Sequence, residues 1–210
     1  MEISEWLLFV VVASVAIMSP GPAVLVAMRN SLNGGARRVM VSSLGNIVGL
    51  VCVAGLATLG LGAVLHTAEW LFSLIKVLGA AYLVYLGIRQ WRAETPLLSA
   101  ASVTAQRGWS RWRTFLEGYL VAISNPKAIL FFSALFPQFI VPESALVPQF
   151  ALLIATFMMM SFMTLVGYGL LARRLVSQLR SPRWTRYIQR LMGSLFIGLG
   201  ISLFRARLPA

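Results

Sequence analysis

Three stretches of this chain, residues 6–28, 39–65 and 146–172, each run for more than twenty residues without a charged side chain. A helix needs about 20 mainly apolar residues to cross the hydrocarbon core of a bilayer. No other feature restricts the fold as strongly. Residues 70–88 form a fourth such stretch with one charge, Lys76, and residues 115–140 a fifth with two, Glu117 and Lys127. Residues 188–204 form a shorter sixth with Arg190 near its start. Barrel strands alternate apolar and polar residues over about ten positions, whereas these stretches are continuously apolar and much longer. The expected fold is therefore all-α, a polytopic membrane protein of about six transmembrane helices. The amino end carries Glu2 and Glu5 where a cleavable signal would carry a basic leader, so the first span is expected to be retained.

The net charge is +12, and its distribution argues against a nucleic-acid partner. Arg29, Arg37 and Arg38 follow the first span. Arg89, Arg92, Arg107, Arg111 and Arg113 follow the third, and Arg173, Arg174, Arg180, Arg183, Arg186 and Arg190 follow the fifth. The intervening connections hold His66, Glu69 and Glu143 and no lysine or arginine. This asymmetry predicts three basic loops in the cytoplasm and both termini outside; Arg205 and Arg207 in the C-terminal tail run against it. Tryptophan favours the headgroup region. Trp6 and Trp70 fall at outer ends, and Trp91, Trp109, Trp112 and Trp184 in or beside the basic loops. The single cysteine, Cys52, reads as a small core residue.

The longest connection, residues 95–113, separates a first half (1–94) from a second (114–210). With three spans per half, the second half enters from the opposite side, which makes a 3+3 inverted repeat if the halves are related. Lys76, Gly79 and Tyr82 in span three match Arg190, Gly193 and Phe196 in span six in register. More telling, the first span of each half is interrupted, one by Ser19-Pro20-Gly21-Pro22 and the other by Ser124-Asn125-Pro126-Lys127.

Proline inside a helix removes a hydrogen bond and clashes with the preceding turn. In lipid, the freed carbonyls must face protein or a wet cavity. At 1.5 Å per residue, Pro20 lies about 20 Å below Trp6, and Pro126 a comparable depth from the other face. Paired breaks at mid-membrane are the pattern of a transporter binding site. A simple packing kink at each break is the alternative. Pro20, Gly21, Pro22, Asn46, Asn125, Pro126 and Lys127 are the candidate substrate-binding residues.

Lys127 is costly at that depth. Three roles suit it: binding an anionic group such as a substrate carboxylate, exchanging protons, or capping carbonyls of span one. Glu117, four residues after Arg113, either pairs with a loop arginine or carries protons, and it is the candidate for proton coupling. Lys76 is close enough to an interface to snorkel. Asn46 either lines the cavity or bonds across helices. Gly45 and Gly49 make the small-xxx-small spacing of tight helix pairs. No Gly-rich phosphate loop ending in Lys-Ser/Thr is present, nor a set of residues for hydrolysis. One His, one Cys and no Asp argue against a transition-metal pathway. No enzyme activity, cofactor or metal is expected.

Ser19-Pro20-Gly21-Pro22 with Arg29-Asn30 and Gly34-Gly35, and Asn125-Pro126-Lys127-Ala128 with the run 131–139, resemble the LysE/RhtB family of bacterial amino-acid exporters. Residues 79–87, Gln90-Trp91-Arg92-Ala93 and Gly193-Ser194-Leu195-Phe196 extend the likeness over essentially the whole chain. Residues 134–140 are most similar to the homoserine/homoserine-lactone and threonine efflux branch.

The resemblance implies export of small neutral or hydroxylated amino acids across the bacterial inner membrane, driven by the proton motive force. Its implied partners are the amino acid and the lipid bilayer; a homodimer is left open. Many relatives carry an intramembrane aspartate in the second or fifth span, where this chain has Leu50 and Ser161. Coupling here would then fall to Glu117 or Lys127, or the protein works as a facilitator or exchanger. An exporter of another small solute or cation, and a membrane scaffold without transport, are the rival readings.

Overall fold

A computed structural model describes residues 2–65, 69–92, 110–141, 144–174 and 182–205. Among the described residues all regular structure is helical, with no strand. Helix α1 spans Ile3–Met18, α2 Pro22–Leu65, α3 Glu69–Trp91, α4 Arg111–Ile123, α5 Pro126–Leu130, α6 Leu146–Arg174 and α7 Pro182–Arg205. Between α5 and α6 the chain continues as a π turn, Phe131–Leu135, and a 3-10 turn, Phe136–Phe139.

Helix α2 is a hairpin of two helices. Its 44 residues would reach about 65 Å if straight, twice the bilayer core. Gly35, at φ 73° and ψ −167°, interrupts it with a backbone that glycine adopts without a Cβ penalty. The chain folds back there: Arg38 Nε donates to Asn30 Oδ1 at 2.8 Å, and Ala23 and Ala27 share a cavity wall with Ser42 and Asn46. The first span is thus α1, a break at 19–21 and the half-helix 22–34; the second span is 36–65. The apolar run ends at Met28, yet the helix continues six residues further because Arg29 finds a partner in Glu117.

The fourth span is broken in the same manner, with Arg111–Ile123 and Pro126–Phe139 meeting at 49°. Leu146–Ala172 is long and apolar enough to cross a membrane, and α3 and α7, of 23 and 24 residues, each extend about 35 Å. Six spans result, and each half begins with a broken one.

Close approaches of backbone fix the helix pairs. A Cβ on Gly45 would lie 1.9 Å from the Phe115 carbonyl oxygen, and one on Gly118 1.9 Å from that of Ser42. The glycines of residues 45 and 49 therefore seat α2 against α4, as the small-residue spacing predicts. Helices α3 and α7 run antiparallel, with Gly87 against the Gly193 carbonyl and Gly200 against that of Ala80. An in-plane two-fold axis requires this arrangement of the third span of each half. The side chains of Lys76 and Tyr82, on which the expected register partly rests, lie outside the described residues.

The Arg29–Glu117 ion pair and the seat of Gly169 against Val39 bring the α2 turn, the start of α4 and the end of α6 together. Arg37, Arg38, Arg111, Arg113 and Arg174 consequently share one end of the molecule. The connection expected over 95–113 lies outside the described residues up to 109, Trp109 included, as do His66 and Glu143. Helix α4 starts at Arg111, inside that expected connection.

Candidate functional site

Each break leaves backbone groups without helical partners; side chains from the other half satisfy those of the first, and a local cap serves the second. Helix α1 ends at Ser19, where ψ swings to 122°. The Tyr168 hydroxyl donates to the Met18 carbonyl at 2.7 Å, and Lys127 Nζ donates to that of Ser19 at 2.8 Å. At the second break, Asn125 caps the new helix, its Oδ1 accepting from the Lys127 backbone N–H at 3.1 Å. Pro22 and Pro126 each open the helix that follows. Proline suits that position because the first N–H has no helical partner to lose.

The two breaks enclose a cavity of about 40 Å³, room for roughly three water-sized groups. Gly21, Asn46, Asn125 and Lys127 line it, together with Leu50 and Ser161. Pro20, Pro22 and Pro126 shape the breaks without forming its wall. Of the residues singled out in the sequence as substrate-binding, Gly21, Asn46, Asn125 and Lys127 are brought together in this wall, and Ser161, also polar, was not among them. Sequence reasoning also missed Ser19 and Tyr168, which act through a backbone carbonyl and through the register of α6 against α1, neither of which has a sequence signature.

The electrostatics favour an anion. The half-helix 22–34 begins at the cavity, which Ala23 and Val24 line; the first N–H groups of a helix have no intrahelical partner, and a helix amino end carries partial positive charge. Lys127 adds a full charge. Of its three donors, one is used on Ser19, and no carboxylate among the described residues pairs with it. A carboxylate placed between the ammonium and those N–H groups would be held by charge-assisted hydrogen bonds.

Glu117 lies elsewhere. It pairs with Arg29 and accepts from Asn30 Nδ2 at 3.2 Å, and Asn30 accepts from Arg38. This network, buried at Asn30 and Arg38 and half-buried at the ion pair, sits at the basic end of the molecule. A second, smaller cavity of about 10 Å³, walled by Ser42, Ser43 and Gly118 among others, shares Ala23, Asn46 and Leu165 with the main one. Around Phe131 and Phe157, which line the main cavity, the molecule is filled by rings. Phe131 and Phe157 lie 4.7 Å apart, and Phe9 packs on Phe131, Phe136 and Phe139 at 6.2, 6.1 and 5.2 Å.

Comparison with known proteins agrees with this architecture. Residues 14–207 match the family described as LysE type translocator. An uncharacterized membrane protein of Vibrio cholerae is 36% identical over 207 residues, covering 99% of this chain and 100% of its own. The homoserine/homoserine lactone efflux protein of Salmonella typhimurium is 33% identical over 208 residues, covering 99% of each chain. The threonine efflux protein of Escherichia coli K12 is 32% identical over 211 residues, covering 96% of this chain and 99% of its own. No solved structure matches the chain. With the family matched over nearly its full length and relatives named as efflux proteins, a transporter rather than an enzyme is indicated, and the chain belongs to the LysE type translocator family.

Proposed function

We propose that this protein is a secondary transporter that exports small neutral or hydroxylated amino acids, such as homoserine, homoserine lactone or threonine, from the cytoplasm. The observation that carries the reading is Lys127, a cation at the junction of two broken helices, lining a cavity that also receives a helix amino end. The carboxylate of homoserine or threonine would lie against Lys127 and those N–H groups, where the lactone, which has no carboxylate, would place its ester carbonyl. A fixed cation disfavours a cationic cargo, and among the described residues no group of three His, Cys, Asp or Glu side chains could hold a metal.

The relatives named for homoserine and threonine efflux support the substrate class. The basic connections support a bacterial inner-membrane orientation with those loops cytoplasmic and both termini periplasmic. Exposed apolar side chains such as Leu8, Val11, Met159 and Met163 are the surface that lipid would cover, and a homodimer would have to use the same outward faces. The energy source in this reading is the proton motive force. Glu117 supports proton coupling less well than closure of the basic end, because it is committed to Arg29 and Asn30 away from the cavity.

Access to the cavity would alternate through the half-helix 22–34, which has a break at one end, Gly35 at the other, and the Glu117 network as its latch. The test is expression in a sensitised bacterium, scored for resistance to a panel of amino acids and analogues. Wild type is expected to protect against homoserine and threonine. The Lys127→Met variant should reach the membrane at normal level and fail to protect; protection equal to wild type would remove Lys127 from the site.

A further inference from the structure

Phe157, Ser161 and Leu165 line the main cavity as one stripe of α6, a turn apart from one another. Serine inside a helix commonly satisfies its hydroxyl on the carbonyl of the preceding turn. Ser14, Ser124, Ser133 and Thr156 all do so here, at 2.6, 2.6, 2.8 and 2.8 Å. Ser161 is different: it is 6% exposed, lines the cavity, and donates to no group among the described residues. Its hydroxyl opens onto the cavity, so its partner has to come from what fills the cavity. Ala16, Ile17, Leu50, Phe157 and Leu165 in the same wall are apolar, and Asn46 is the other polar side chain there with no hydrogen bond among the described residues. Asn125 Oδ1 is already engaged at the cap of α5.

We propose that Ser161 is a specificity-determining residue, hydrogen-bonding a hydroxyl on the substrate side chain, so that a hydroxylated amino acid is exported in preference to its methyl analogue. The inference rests on the reading above, in which Lys127 holds the carboxylate; the side chain then meets a largely apolar wall in which Ser161 supplies the hydroxyl, set on α6 between Phe157 and Leu165. Apolar walls alone discriminate weakly between a methyl and a hydroxyl of the same shape, whereas a hydrogen-bonding partner discriminates well. One such bond corresponds to about a tenfold preference.

Threonine and valine differ by that one group and make the experiment. In proteoliposomes, wild type should exchange threonine with a kcat/KM about tenfold above that for valine. Ser161→Ala should bring the two to within about twofold by lowering the threonine value, with valine exchange retained as proof that the variant is folded. Ser161→Thr, which keeps the hydroxyl, should restore part of the preference. An unchanged threonine-to-valine ratio in Ser161→Ala, or the absence of a preference in wild type, would overturn the inference and leave the transporter reading standing. Failure of wild type to exchange either amino acid would instead count against the function proposed above.

Discussion

A cation at the amino end of a helix opposes that helix's own field, and Lys127 occupies that position in α5. What compensates is the carbonyl of Ser19 from the other half, so the lysine belongs electrostatically to the end of α1 as much as to its own helix. The ammonium is also confined. A Cβ on Gly21 would lie 3.3 Å from Nζ and 3.7 Å from Cε. Gly21→Ala should therefore fold, because the tip of a flexible side chain gives way, and should displace the ammonium by a few tenths of an ångström. The expected result is a several-fold rise in KM for amino-acid exchange at unchanged protein level, read in proteoliposomes; an unchanged KM would mean that the ammonium's position does not matter. Lys127 and both breaks were legible in the sequence because a charge or a proline inside an apolar run is conspicuous. The free hydroxyl of Ser161 was not, since whether a helical serine folds back on its own turn is decided by what faces it.

Among the elements, the glycines divide into two kinds that look alike on the page. Gly45, Gly49 and Gly118 bring α2 and α4 into backbone contact, whereas a Cβ on Gly55, Gly167 or Gly198 would meet nothing within 4 Å. The spacing of Gly45 and Gly49 announced a tight interface. Gly118, its partner, stands alone beside Glu117 and gave no such signal. The hairpin at Gly35 was also only half legible. The charge of Arg29 ended the apolar run, but a half-buried ion pair let the helix continue and reduced the connection to a single residue.

Gly45→Ala must push Phe115 away, backbone against side chain, at a cost of about 1–3 kcal/mol typical of overpacking. Gly55→Ala meets no obstacle and gains up to about 1 kcal/mol of helix propensity. Thermal unfolding in detergent should accordingly move down for the first variant and stay level or move up for the second. Equal shifts would show that the α2–α4 contact is not a rigid seam.

At the scale of the molecule, the cavity is closed differently on its two sides. Towards Phe9 and Phe139 it is sealed by packed rings, while towards the basic end the described residues place the small second cavity and the Glu117 network. In the proposed transport cycle, with α2 and α4 locked along residues 42–49, the piece that would move is the half-helix 22–34, bounded by 19–21 and Gly35. It would have to slide on the apolar cluster that Val24, Ala27 and Met28 form with Leu165 and Ala172. Its latch is Glu117, one carboxylate that holds both Arg29 and Asn30. Ser43, buried and with its hydroxyl unpartnered, lines the second cavity and reports on this route. In a chain carrying Ser43→Cys with Cys52→Ser, an impermeant thiol reagent supplied on the basic side should label residue 43 slowly. Adding Glu117→Gln removes the ion pair and should speed labelling roughly fivefold, the equivalent of about 1 kcal/mol. Reagent supplied from the opposite side should be slower in both backgrounds, because the rings stand in its way. Labelling that ignores Glu117→Gln would place the closure of the basic end in some element other than the half-helix 22–34.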